Sequence, residues 1–153
     1  MNILEIPIIG SRKSDKECIY SLLSDQPLRK FEGLDVGSLV FNKDFELYLY
    51  FLNQEDDDYL YLWDLIIPYA IGCIVVCDPS IPEIFNRNVE IIKKLESEFS
   101  TPLLLCSVTE PQGEQNNSQE MQLLQQLNRE IQSFNPQDKK SAKDILIKLI
   151  DSQ

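Results

Sequence analysis

The run Gly10-Ser11-Arg12-Lys13-Ser14-Asp15-Lys16-Glu17 holds the residue types that take up phosphate, with a glycine closing an apolar stretch and cations following it. Set on the pattern G-x-x-x-x-G-K-[ST], it keeps Gly10 and Lys16 but has Asp15 for the second glycine and Glu17 for the hydroxyl that holds magnesium. Ser14 lies inside the same turn. Glycine lets successive backbone N–H groups point at one anion with φ > 0; Asp15 gives up that freedom and adds a carboxylate. A like charge at about 4 Å opposes binding by about 4 kcal/mol at an effective dielectric of about 20, roughly a thousandfold in affinity. Arg12, Lys13 and Lys16 therefore read either as a solvated turn or as a repurposed anion site for an acidic segment or a small phosphate compound.

Other chemistries are excluded more simply. The chain has 153 residues and no histidine, so no imidazole base can activate a serine or cysteine. Cys18, Cys73, Cys77 and Cys106 form no C-x-x-C pair, and they read as small apolar core residues in a reducing compartment. With 14 Lys plus Arg against 25 Asp plus Glu, the formal charge is −11, which repels nucleic acid and anionic lipid. No apolar run reaches the roughly 18 residues of a membrane span, and the start Met1-Asn2-Ile3-Leu4-Glu5 lacks the pattern of a signal peptide. The expectation is a single cytoplasmic domain with a core of its own.

The elements that would position these residues alternate in period. Ile3 to Ile9 is β-branched and ends at Gly10-Ser11, a strand; Asp15 to Ser24 places Cys18, Ile19, Leu22 and Leu23 on one helical face. Leu39 to Phe41 and Glu46 to Leu52 read as strands joined at Asn42-Lys43-Asp44, and Asp58 to Tyr69 as a short aromatic helix. Gly72 to Asp78 is apolar on both faces, as a central parallel strand must be. Pro82 to Phe99 is a helix with a stripe of Ile84, Phe85, Val89, Ile92, Leu95 and Phe99. Leu103 to Ser107 is a buried strand, 109–118 a polar loop, and Met121, Leu124 and Leu127 mark a helix. Glu130 to Phe134 is a weak last strand, and Ser141 caps a final helix. The class is α/β: a mostly parallel six-stranded sheet with one antiparallel hairpin and helices on both faces.

Beyond the first turn the chain resembles the small Ras-like GTPases, nearest the prokaryotic group related to gliding-motility polarity GTPases. The resemblance rests on Leu47-Tyr48-Leu49-Tyr50-Phe51, Leu62-Trp63-Asp64, Gly72-Cys73-Ile74-Val75-Val76-Cys77-Asp78 and Pro82-Glu83-Ile84-Phe85. It implies a P-loop fold in which Gly10, Ser14, Asp15, Lys16 and Glu17 are the relic of a nucleotide site. It also implies a switch surface for partners, for example roadblock-type regulators in polarity, motility or signalling. The departures carry equal weight. The family's metal-binding switch threonine aligns near Lys30 or Phe31, its D-x-x-G is replaced by Leu52-Asn53-Gln54-Glu55, and its base-reading N-K-x-D is absent near Cys106-Ser107-Val108-Thr109.

Two functions follow as expectations. The first is a pseudo-GTPase: a protein-interaction module with no catalytic residue, metal or cofactor, binding through Asp35, Tyr48, Tyr50, Glu55, Tyr59, Tyr61 and Trp63. The aromatics there are large rigid anchors, rimmed by the acids Glu55-Asp56-Asp57-Asp58. The second is a divergent NTPase switch, with Lys16 on phosphate and Glu17 or Asp35 helping to hold magnesium for GTP. A phosphoacceptor receiver domain fails for want of an acidic pair after the first strand.

Overall fold

Apolar runs that are buried on both faces must lie in the middle of a sheet, and the Cys73–Cys77 strand does. The computed structural model describes residues 2–10, 13–52, 57–77, 82–108, 131–135 and 137–151. Its strands are β1 (Asn2–Gly10), β2 (Arg29–Phe31), β3 (Leu34–Val40), β4 (Phe45–Leu52), β5 (Cys73–Cys77), β6 (Leu103–Val108) and β7 (Ile131–Phe134). Its helices are α1 (Lys13–Leu23), α2 (Tyr61–Ile66), α3 (Pro82–Glu98) and α4 (Lys139–Asp151), with single 3-10 turns at Asp57–Tyr59 and Ile67–Tyr69. The expected loop at 109–118 and the helix around Met121, Leu124 and Leu127 lie outside the described residues.

The strands form one sheet in the order β2-β3-β4-β1-β5-β6-β7. β4, β1, β5, β6 and β7 run parallel, while β2–β3 and β3–β4 are antiparallel. The α/β class stands, but the count of six strands with one hairpin does not. Arg29–Phe31 is an exposed edge with no apolar alternation to betray it, and a two-residue turn at Glu32-Gly33 returns it to β3. Gly33 has φ 77°, and a Cβ there would lie 2.3 Å from the Tyr59 ring, so the turn needs glycine twice over. β3 starts earlier than Leu39 because it pairs with β4 along its whole length, from Leu34↔Leu52 to Val40↔Glu46. The Asn42-Lys43-Asp44 connection is as read: Asn42 Oδ1 accepts the N–H groups of Asp44 and Phe45 at 2.8 and 2.9 Å.

Side chains alternate across the sheet and define two cores. On one face Ile6, Ile8, Leu47, Leu49, Ile74 and Val76 pack under α1 and α4, with Ile19, Tyr20, Leu146 and Leu149. On the other, Ile9, Leu52, Val75 and Leu105 pack under α2 and α3, with Trp63, Ile67, Phe85 and Ile92. Cys73, Cys77 and Cys106 are buried and all four cysteines are free thiols; desolvation pushes the Cys73 thiol far up, away from reactivity. Ser141 does not cap α4. The helix starts two residues earlier, Asp138 Oδ1 accepts the Lys140 N–H at 3.0 Å, and Ser141 Oγ accepts the Asn135 N–H at 2.9 Å.

A buried amide interrupts the apolar stripe of α3. Asn88, on α3 beside Phe85 and Val89, is fully buried, and neither atom of its amide has a hydrogen-bond partner. An unsatisfied buried polar group costs about 1–3 kcal/mol, and an apolar group of the same shape removes that cost. Asn88→Leu is expected to raise the urea midpoint by the equivalent of about 1–3 kcal/mol at constant m. A lowered midpoint would show that the amide has a partner in solution.

Candidate functional site

In a parallel sheet ligands gather at the carboxyl ends of the strands, where the chain switches direction. Here that point is the end of β1. The strands β4, β3 and β2 lie to one side of it, β5, β6 and β7 to the other, and α1 follows directly. Gly10 sits at this end, paired with Val76 of β5. A Cβ on it would come 2.9 Å from the Val76 carbonyl oxygen, so glycine is required there by the close approach of two strands. That requirement exists without any phosphate.

α1 begins at Lys13, so the backbone from there to Lys16 is helical instead of wound about a central anion. Ser14 and Asp15 fall in this first turn, and their side chains lie outside the described residues. Lys16 is only 6% exposed, and its ammonium donates to the carbonyl oxygen of Leu52 at 3.1 Å. Leu52 is the last residue of β4. The lysine thus reaches across the carboxyl edge of the sheet and ties α1 to a neighbouring strand, with the charged donor satisfied by the fold.

Glu17, one residue on, faces a different cation. Lys30 of β2 places its ammonium 3.2 Å from Glu17 Oε1 and 3.2 Å from Asp35 Oδ2. Lys30 and Asp35 are directly opposite in the β2–β3 ladder, and Asp35 is on the face that α1 covers. Bonding to Asp35, then to Glu17, raises the Lys30 pKa above 10.5. The stabilisation is therefore complete at neutral pH and lost only as pH rises through that raised value. Because Lys30 is largely exposed, the bridge is worth little in stability. Its consequence is chemical: one ammonium holds the two carboxylates proposed for a metal. Among the described residues no group of three metal-ligating side chains comes together. The role of Lys30 was missed in the sequence, although Gly33, three residues after it, is a hairpin signal.

The aromatic residues separate into three kinds. Trp63 is a correction: it is 3% exposed, packed in the core beside Ile67 with Lys94 Nζ 5.7 Å from its ring centroid, and offers no surface anchor. Tyr59 is half-buried, its ring against Gly33 and its hydroxyl donating to Glu32 Oε1 at 3.0 Å, so it docks on the β2–β3 turn. Tyr61 is exposed at 58%, and Leu65 and Tyr69, at 61% and 77%, extend the same i, i+4 stripe that the sequence reading did not single out. Tyr48 and Tyr50 are half-buried on the sheet face opposite α1. The Tyr50 hydroxyl donates to Glu5 Oε1 at 3.0 Å, and burial first, then that bond, pushes its pKa to about 12. Asp35 is mostly enclosed on the other face, away from these tyrosines. Glu55 lies outside the described residues.

No protein-family model matches the chain, and no curated protein matches it in sequence.

If Lys16 serves the fold, removing its charge destabilises the ligand-free protein. Lys16→Met leaves the Leu52 carbonyl without its donor and is expected to cost about 1–3 kcal/mol, read as a lower urea midpoint. Unchanged stability would contradict a structural lysine.

Proposed function

We propose that the chain is a degenerate Ras-like domain, a pseudo-GTPase that works as a protein-interaction module without efficient GTP binding or hydrolysis. The observation that carries this reading is the Lys16 ammonium turned onto the Leu52 carbonyl. A lysine that serves phosphate must reach the mouth of the loop; this one is buried under the sheet edge. Three further features support the reading. α1 begins ahead of Lys16, Lys30 engages Glu17 and Asp35, and the sheet places β1 between an antiparallel and a parallel half.

Interaction then falls to the surface built by α2, the turn after it and the outer strands. Tyr61, Leu65 and Tyr69 form an exposed apolar stripe there. Large rigid side chains of this kind carry most of the energy of protein interfaces. By resemblance the partners are roadblock-type regulators or other components of a cytoplasmic polarity, motility or signalling system. No described helix is long and apolar enough to cross a membrane.

Equilibrium titration with fluorescent GTP, GDP and ATP in the presence of magnesium tests the loss of nucleotide. No saturation is expected below about 100 μM ligand. A dissociation constant near or below about 1 μM that is lost in Lys16→Ala would overturn the reading in favour of a divergent NTPase switch.

A further inference from the structure

Among the described residues, helices cover the sheet face opposite α1 over β5, β6 and the carboxyl ends of β1 and β4. Towards the start of β1 it is open, and the register lays out its chemistry in rows. Val40, Glu46 and Ile3 stand side by side across β3, β4 and β1; the next row is Ser38, Tyr48 and Glu5. Strands about 4.8 Å apart put Val40 and Ile3 about 10 Å from each other, on either side of the Glu46 carboxylate. Both aliphatic residues are more than half exposed, an unusual outlay of large apolar side chains on a sheet face.

Around the start of β1 the charges on this face are acidic; the cation Arg29 stands on the same face at the sheet edge, in the row of Val36 and Tyr50. Glu46 forms no ion pair, and the Glu5 carboxylate accepts a neutral hydroxyl from Tyr50. No cation of the described chain compensates either one, whereas Glu17 and Asp35 on the opposite face share Lys30. Tyr48 adjoins both acids in the register, two residues from Glu46 and opposite Glu5, and an aromatic face adds its own attraction for a cation.

We infer that this open face receives an extended segment of a partner protein in which pairs of large aliphatic residues alternate with pairs of lysine or arginine, so that every second side chain, aliphatic and cationic in turn, meets the face. The inference rests on the interaction-module reading and supplies the chemistry of its partner. Apolar side chains of the segment cover Ile3 and Val40, and its cations meet Glu46 and Glu5. The alternatives are disfavoured by the same charges. A second copy would bring like carboxylates together, and an anionic lipid surface is repelled by a chain of net charge −11.

The test uses the full chain and three labelled decapeptides repeating Leu-Leu-Lys-Lys, Ser-Ser-Lys-Lys and Leu-Leu-Glu-Glu, called Leu-Lys, Ser-Lys and Leu-Glu, followed by fluorescence anisotropy at about 0.15 M salt. Saturable binding of Leu-Lys is expected, about tenfold weaker binding of Ser-Lys, and none of Leu-Glu. Ile3→Ser and Glu46→Lys should each weaken Leu-Lys binding by about tenfold, while Glu90→Lys on the exposed side of α3 stays within about twofold of wild type. Glu46→Gln, a milder change, should move in the same direction. Equal losses in Glu46→Lys and Glu90→Lys would reveal diffuse attraction and overturn the inference, as would the absence of Leu-Lys binding. Leu-Glu binding that is lost in Ile3→Ser would overturn the partner chemistry and leave the interaction-module reading standing.

Discussion

An ammonium group removed from water must be satisfied by the groups around it, and Lys16 meets that demand at the carbonyl of Leu52. The bond fixes the start of α1 against the end of β4, two elements separated by 36 positions in the chain. It lies where the sheet changes direction, the place at which an α/β protein ordinarily holds its ligand. A side chain that anchors the fold there cannot at the same time reach outward to a phosphate. Recruiting it for a ligand means first breaking a charge-assisted hydrogen bond in a setting of low dielectric, where such bonds are strong.

The same trade recurs around it. Gly10, which a phosphate loop would use for its freedom of backbone, lets β1 and β5 approach at Val76. Glu17 and Asp35, which a metal site would use, are engaged by Lys30 across a hairpin. Gly10, Lys16, Glu17 and Asp35, which suggest nucleotide chemistry by their type, all have contacts within the chain. The sheet is closed on one face by α1 and α4, and open over part of the other. Exposed apolar and aromatic side chains collect on that open side, from Tyr61 and Leu65 on α2 to Ile3 and Val40 on the strands. Internal satisfaction at one end of the molecule and unsatisfied surface on one side are two parts of one design.

Much of this was legible in the sequence wherever periodicity was strong. The continuous apolar run of β5, the stripe on α3 and the alternation along β4 each have one structural solution, and the elements lie within a few residues of where they were read. β2 was not legible, because three exposed residues at a sheet edge bury nothing and so carry no pattern. Trp63 was misplaced by residue type: aromatic and near acids, it looked like an anchor. Spacing was the better guide, since Trp63 and Ile67 lie four apart on the buried side of α2 and the 3-10 turn after it, and Tyr61, Leu65 and Tyr69 lie four apart on their exposed side. The cap of α4 went to Asp138 over Ser141 for a related reason, as either residue type can cap and only tertiary structure gives Ser141 the Asn135 N–H to hold. The motif around Lys16 named the right residue and left its direction open. A pattern of residue types does not specify where a helix begins, and here nothing in Asp15 interrupts it.

The state of the Lys16 ammonium in solution tests the central claim most directly, and nitrogen-15 NMR of the lysine side chains observes it. A buried, hydrogen-bonded ammonium exchanges its protons slowly enough to give a resolved signal, absent in Lys16→Met. This signal is expected in the ligand-free protein, unmoved when magnesium and GTP are added in excess. A Lys16 ammonium in fast exchange with water, which becomes resolved and shifts only when GTP is added, would contradict it.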